Sequence, residues 1–344
     1  MKTLLSRLHM DPYIAAIIGM VALASVAPAQ GFGITVANGA ATGAIALMFF
    51  LQGARLAPQQ ALAGARNWRL HAVVLGSTFL LFPALGLTMR ALVPSLLTPP
   101  LWGGLLMLCL LPSTVQSSIA FTSIARGNVA AALCAATASN LLGILLTPLL
   151  AGLLLSAHGG FSVGAVGDIV MQLLLPFVAG QLARPLIGEW VGRHKTLTSL
   201  VDRGSILLIV YAAFSEGVTH GIWHQVDATH LVSLMLLDGA LLATVLTVTS
   251  VGSRLLGFSR ADRITIMFCG SKKSLASGLP MASVLFAGQS VGLIVLPLML
   301  FHQIQLMVCA ALARRYGAEA VAQRIDNSMR SVHRRDAEHA EQAR

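Results

Sequence analysis

Charge is what this sequence has least of. Asp, Glu, Lys and Arg together make 10% of its 344 residues, against about 25% in a soluble domain. So few charged groups cannot wet a surface of that size, and a water-soluble fold is excluded. Acids are scarcer still, 13 against 23 Lys and Arg, giving a formal charge of +10. Such a surplus implies a nucleic-acid partner only when it lies on one face of a soluble fold. Here the cations punctuate apolar runs, so no nucleic acid is expected. The four cysteines (Cys109, Cys134, Cys269, Cys309) fall inside those runs without ligand or disulfide spacing and read as buried thiols. Walker loops, zincin helices, Gly-x-Ser-x-Gly elbows and Rossmann fingerprints are all absent. An ATP-driven pump or a membrane hydrolase has nothing to rest on, and no enzyme is expected. What the chain does hold is hydrophobicity: 56% of residues, with a mean hydropathy of +0.78.

A spanning helix takes about 20 apolar residues, and ten segments approach that length. They are 13–27, 36–54, 70–89, 100–124 and 128–155 in the first half, then 166–186, 201–218, 231–253, 264–286 and 290–313. They are apolar on every side, unlike the stripe of a soluble helix, and show no barrel alternation. The expectation is an all-α polytopic membrane protein. The first segment has a second reading, as a secretory signal ending at Ala27-Pro28-Ala29. Charge counting supports a retained span. With both termini on the cytoplasmic side, 20 of the 23 Lys and Arg fall in cytoplasmic pieces. The inner membrane of a bacterium is the expected location. Arg90 falls outside, and Lys272 and Lys273 fall within a span.

Five spans in each half point to an internal repeat, and an odd number forces the second copy to insert upside down. The divisions expected are 1–155, 160–313 and a basic cytoplasmic tail, 314–344. Inverted repeats mark transporters, whose sites lie at interrupted helices in matching positions. The fourth span breaks at Pro112-Ser113-Thr114-Val115-Gln116-Ser117-Ser118. The ninth, fourth in its own half, breaks at Cys269-Gly270-Ser271-Lys272-Lys273-Ser274. Proline removes a backbone donor and glycine weakens a helix, while clustered hydroxyls satisfy freed backbone groups or ligate a solute. Pro83, Pro148, Pro176 and Pro297 read as ordinary kinks, and Gly39 with Gly43 as a close-packing pair.

Two lysines at the bilayer centre cost about 2.5–3.5 kcal/mol each on insertion scales, so they are not idle. Side chains of helix neighbours diverge, which gives them different roles: one facing a cavity as a cation for an anionic solute, the other paired with an acid. Asp238 and Glu216 are the acids in the membrane zone. The other reading makes the stretch a loop whose lysines snorkel to water. A half-helix starting near Ser274 would add its positive end to the same spot. Gln52, Gln116, Thr137, Ser139, Asn140, Gln172, His302 and Gln305 either line a cavity or bond between helices.

At these breaks the sequence resembles the bile acid:sodium symporter family. The stretch from Leu111-Pro112 through Ala125-Arg126-Gly127-Asn128-Val129 to Leu146-Thr147-Pro148 is similar to the family's most recognisable region. Phe268-Cys269-Gly270-Ser271-Lys272-Lys273-Ser274-Leu275, with Gly278 and Pro280, resembles the sodium bile acid symporter-like branch, which includes vertebrate solute carrier family 10 member 7. The resemblance covers essentially the whole chain. It implies ten helices in two inverted five-helix repeats, with broken helices 4 and 9 crossing in a core domain (spans 3–5 and 8–10) beside a panel domain (spans 1, 2, 6 and 7). It also implies Na+ as coupling ion, with Ser117, Ser118, Thr137 and Ser139 at the sodium-binding positions. The family places a Glu and a Gln in the ninth-span break. Here Phe268 or Cys269 stands for the Glu and Lys272 for the Gln. An ammonium there repels sodium, which leaves coupling to sodium, to protons through Lys and Asp238, or none. The function expected is secondary transport of a small organic anion, with Ser113, Thr114, Gln116, Ser117, Ser118, Thr137, Ser139, Asn140, Asp238, Ser271, Lys272, Lys273, Ser274 and His302 as binding residues. The alternative is a membrane regulator or receptor that binds a ligand in the same fold without moving it.

Overall fold

A computed structural model of the chain describes residues 12–55, 67–156, 163–219, 221, 226–287 and 289–342. Lys2, Arg7, Arg66, His220, His224 and Arg344 lie outside the described residues, as do the 157–162 boundary between the halves and the side chains of Gln172 and of residues 321–344. All regular structure among the described residues is helical. The helices are α1 (Pro12–Val26), α2 (Phe32–Arg55), α3 (Trp68–Leu92), α4 (Pro99–Leu110), α5 (Gln116–Ile124), α6 (Val129–Ser156), α7 (Val163–Arg193), α8 (Lys195–Thr219), α9 (Ala228–Leu255), α10 (Arg260–Gly270), α11 (Leu275–Leu285) and α12 (Val291–Gln342).

Six of them, α2, α3, α6, α8, α9 and α12, are long and apolar enough to cross a membrane. The fourth and ninth expected spans are instead pairs of short helices, α4 with α5 and α10 with α11, neither half long enough to cross alone. The break in the fourth follows from Pro112: proline pushes the residue before it out of the helical region, and Leu111 is extended (φ −72°, ψ 154°). In the ninth, α10 ends on Gly270, and Ser274 caps α11 by accepting from the Ser277 amide at 3.2 Å. The last helix runs unbroken through the expected 313/314 division.

The core is apolar, but two features depart from a soluble protein. Val26, Leu186 and Leu255 are more than four-fifths exposed, while Asp238, Lys272 and Lys273 are fully buried. Lipid is the solvent that makes the first affordable. Helices α1, α2, α7 and α8 pack on one another, and α4, α9 and α10 pack with α12 or its neighbours. The tightest contact joins α2 to α7, where a Cβ on Gly53 would run into the Phe177 carbonyl and one on Gly180 into the Phe50 carbonyl. A Cβ on Gly39 or Gly43, expected to pack closely, would meet no neighbouring helix within 4 Å among the described residues. The backbone approach they were meant to permit occurs farther along α2.

The Arg126-Gly127-Asn128 turn ties α5 and α6 to α10. Arg126 adopts φ +60°, and the Asn128 amide side chain donates to Asp262 at 2.9 Å while its backbone N–H donates to Thr265 at 3.1 Å. Asn128 also accepts from the Ala131 N–H at 3.1 Å, so one residue caps α6 and anchors α10.

Candidate functional site

The two breaks lie against each other. Each interruption frees carbonyls that would otherwise accept within a helix, and several of the expected polar residues are their partners. Thr147 donates to the Leu110 carbonyl at 2.8 Å, the Ser274 N–H to Pro112 at 2.9 Å and Asn140 to Ser113 at 2.6 Å. From the other side, Ser113 donates to the Cys269 carbonyl at 2.6 Å, Ser118 to Phe268 at 3.5 Å and Ser77 to Gly270 at 2.8 Å. Ser139 accepts from the Ser113 N–H at 3.0 Å, and Ser277 donates to Asn140 at 2.8 Å.

Lys273 completes the set. Its ammonium donates to the carbonyls of Thr78, Cys109 and Leu111 at 2.8, 2.8 and 2.7 Å. Three acceptors match the three donors of an ammonium, one more than a neutral amine could serve. The ring of Phe82 lies 4.1 Å away, adding a cation–π contact. Gln305 grips the same residue's backbone, accepting from its N–H at 2.9 Å and donating to its carbonyl at 2.8 Å, and bonds to His302 at 2.9 Å.

The Thr78 carbonyl is available for a local reason. At Ser77–Leu81 the helix widens to a π turn, so the Phe82 N–H donates to Ser77 rather than Thr78. The next residue, Pro83, has no N–H to offer. Pro83 therefore does more than kink the helix: it leaves an acceptor for Lys273. Nothing in the sequence paired it with a lysine 190 positions on, though a proline inside a long apolar span was the visible signal.

Lys272 turns the other way. It donates to the Ser117 carbonyl at 2.9 Å and sits 3.7 Å from the Phe121 ring centre and 5.4 Å from that of Phe268. Neither lysine reaches the cavity, and neither forms an ion pair with Asp238, contrary to the expected division of labour. Backbone carbonyls and ring faces have taken the roles assigned to a solute and an acid. Asp238 stands apart in α9, with no hydrogen-bond partner for either carboxylate oxygen among the described residues.

A cavity of about 510 Å³ opens beside the crossing. Of the expected residues, Thr114, Gln116, Ser117, Thr137, Asn140, Ser274 and His302 line it. Ser113, Ser118, Ser139, Ser271, Lys272, Lys273 and Asp238 do not. The first turns of α5 and α11 both contribute to its wall through residues 115–117 and 275–277. Thr114 bonds to the hydroxyls of Ser117 and Ser118 at 2.6 and 3.2 Å. A cation among Ser117, Ser118 and Thr137 would thus meet two hydroxyls already bonded to Thr114 and a lysine on the Ser117 carbonyl.

Apolar helices around two broken ones whose breaks meet in the interior, with a cavity beside them, are the architecture of a membrane transporter. The chain belongs to the SBF-like CPA transporter family, whose model matches residues 11–318, and is a transporter of the bile acid:sodium symporter kind. It is 54% identical over 308 residues to "Putative symporter YfeH" of Escherichia coli (strain K12), covering 89% of this chain and 93% of that one. It is 28% identical over 274 residues to "Sodium/bile acid cotransporter 7" of Mus musculus, covering 78% and 80%. Against "Sodium/bile acid cotransporter 7-A" of Xenopus laevis the figures are 28% over 324 residues, 90% and 92%.

Proposed function

We propose that this protein is a secondary carrier of a small organic anion, working by alternating access around the crossing of its two broken helices. On this reading it has ten spans in two inverted repeats, 1–155 and 160–313, with both termini in the cytoplasm of a bacterium and its inner membrane as the setting. The group of α1, α2, α7 and α8 is the panel, and the remaining helices form the core. The observation that carries the reading is the meeting of two helix N-termini at one cavity. Residues 115–117 and 275–277 bring the positive N-terminal ends of α5 and α11 to the same wall, and such ends attract anions.

In coupling, Lys272 or Lys273 takes the place of at least one bound sodium. The three-carbonyl cage is the oxygen set a small cation would use, and an ammonium fills it. Coupling then falls to protons or is absent, with the buried Asp238 the acid on hand for a proton. The test is a thermal-shift screen of anionic metabolites and sterol conjugates, with and without Na+ and across pH. It is expected to return at least one stabilising anion whose effect ignores Na+. If Na+ alone stabilises the wild type saturably and Lys272→Gln leaves that response unchanged, the replacement of sodium is wrong.

A further inference from the structure

His302 lines the cavity from α12, and its ring nitrogen Nδ1 lies 2.9 Å from Gln305 Nε2. The backbone of Lys273 decides which of the two donates. Gln305 Oε1 accepts from the Lys273 N–H at 2.9 Å, and Gln305 Nε2 donates to the Lys273 carbonyl at 2.8 Å. Turning the amide over would set oxygen against oxygen and N–H against N–H, so its orientation is fixed. The second N–H of Nε2 is therefore the donor, and His302 Nδ1 accepts it. A ring held this way is neutral, with its proton on Nε2.

A second proton would go on Nδ1, and two donors would then face each other. Gln305 is fully buried and held at both ends of its amide, whereas His302 is partly buried at the cavity wall. The ring is the partner that gives way, and it gives way toward the cavity. The carboxylate among the lining residues, Asp202, is already paired with Arg55, and Arg203 lines the same wall. The other ionisable groups on the helices packed against α12 do not line the cavity: Cys109 on α4, Lys195, Tyr211 and Glu216 on α8, and His230, Asp238 and Arg254 on α9. Helices α5 and α11 carry none, and Lys272 and Lys273 in the break are engaged with carbonyls.

We infer that His302 takes up a proton together with the anion, whose charged group supplies the partner that the protonated ring loses in Gln305. This inference rests on the anion reading above and adds a proton site in the cavity itself, apart from Asp238. Such coupling is reciprocal: the anion favours the proton as much as the proton favours the anion. The bound state then holds more protons than the free one, so affinity rises as pH falls through the imidazole range, about 8 to 5. Each anion carried brings up to one proton with it.

The experiment measures binding of octane-1-sulfonate to the full chain in lipid nanodiscs by calorimetry, at about pH 8 and about pH 5, in buffers of different ionisation enthalpy. A sulfonate stays charged throughout, so its own titration does not enter, and its chain suits Met48, Leu141, Ile144 and Phe177 on the wall. The expected result is binding about tenfold tighter at the lower pH, an ordinary strength for coupled sites, with proton uptake seen as a buffer-dependent enthalpy. His302→Asn keeps an acceptor for Gln305 at the place of Nδ1 and cannot be protonated in this range. It should bind equally at both pH values, without proton uptake. Independently, Gln305→Met removes the donor that opposes the second proton and should shrink the wild-type ratio. Wild-type affinity that is flat or falls with falling pH, binding without proton uptake, or a ratio that survives both variants overturns the role of His302 alone. Absence of octane-1-sulfonate binding at both pH values overturns the anion reading with it.

Discussion

Replacing Lys273 with methionine keeps most of the aliphatic stem and removes all three donors from the carbonyls of Thr78, Cys109 and Leu111. A buried carbonyl left unpaired costs about 1–3 kcal/mol, so three give a gross loss on the order of 3–9 kcal/mol. Part of this is returned, because an ammonium no longer has to be held away from water, a penalty of several kcal/mol per ion. The carbonyls sit at the π turn of α3 and the end of α4, where no other donor is placed for them among the described residues, so the loss wins, and a net destabilisation of about 3 kcal/mol is expected. Lys273→Ala goes further by emptying space for a free cation. In thermal unfolding of purified protein, NH4+ should recover part of the lost stability of Lys273→Ala, saturably, while leaving the wild type unmoved. Choline, too large for the cage, should not. A Lys273→Met protein as stable as the wild type, or an NH4+ response equal in both, would refute the view that the lysine occupies a cation site.

Pro83→Ala restores an N–H beside the Thr78 carbonyl and so competes with Lys273. The expected loss is about 1.5 kcal/mol, the lower range for a hydrogen bond to a charged group, shrinking markedly in the Lys273→Met background. Additive losses in the double variant would break the link. Gly180→Leu forces α7 away from the Phe50 carbonyl of α2 and should cost at least the 1–3 kcal/mol typical of overpacking, whereas Gly39→Leu, facing open space, should cost less than about 0.5 kcal/mol. Equal losses at the two glycines, read by thermal unfolding, would contradict the packing described.

Both interruptions were legible because their causes are local. Proline denies its predecessor a helical conformation wherever it stands, and a Ser followed by an apolar helix reads as a cap. The hydroxyls around the breaks were legible for the same reason, since freed carbonyls need donors close by. The direction of each lysine was not. Depth in the membrane can be counted along a chain, but the acceptors that hold Lys273 are main-chain carbonyls, which every residue carries and no side chain marks. Pro83 was visible only as a kink, because its effect depends on a widened turn and on a partner from the other half of the chain. Arg55 carries only the sign of a topology marker, and nothing in the pattern marks Asp202 as its partner. Helix packing brings Arg55 to Asp202 across 147 positions, a pairing without periodicity. Gly39 and Gly43 had the spacing of a contact that α2 makes through Gly53 instead.

Transport by the wild-type protein in proteoliposomes tests the carrier most directly. Uptake of the anion that gives the largest thermal shift should saturate, show counterflow when the same anion is loaded inside, and proceed equally with Na+ or choline on both sides. Binding without flux, or flux that neither saturates nor exchanges, would contradict the carrier. Uptake that requires Na+ would contradict the place given to the lysines.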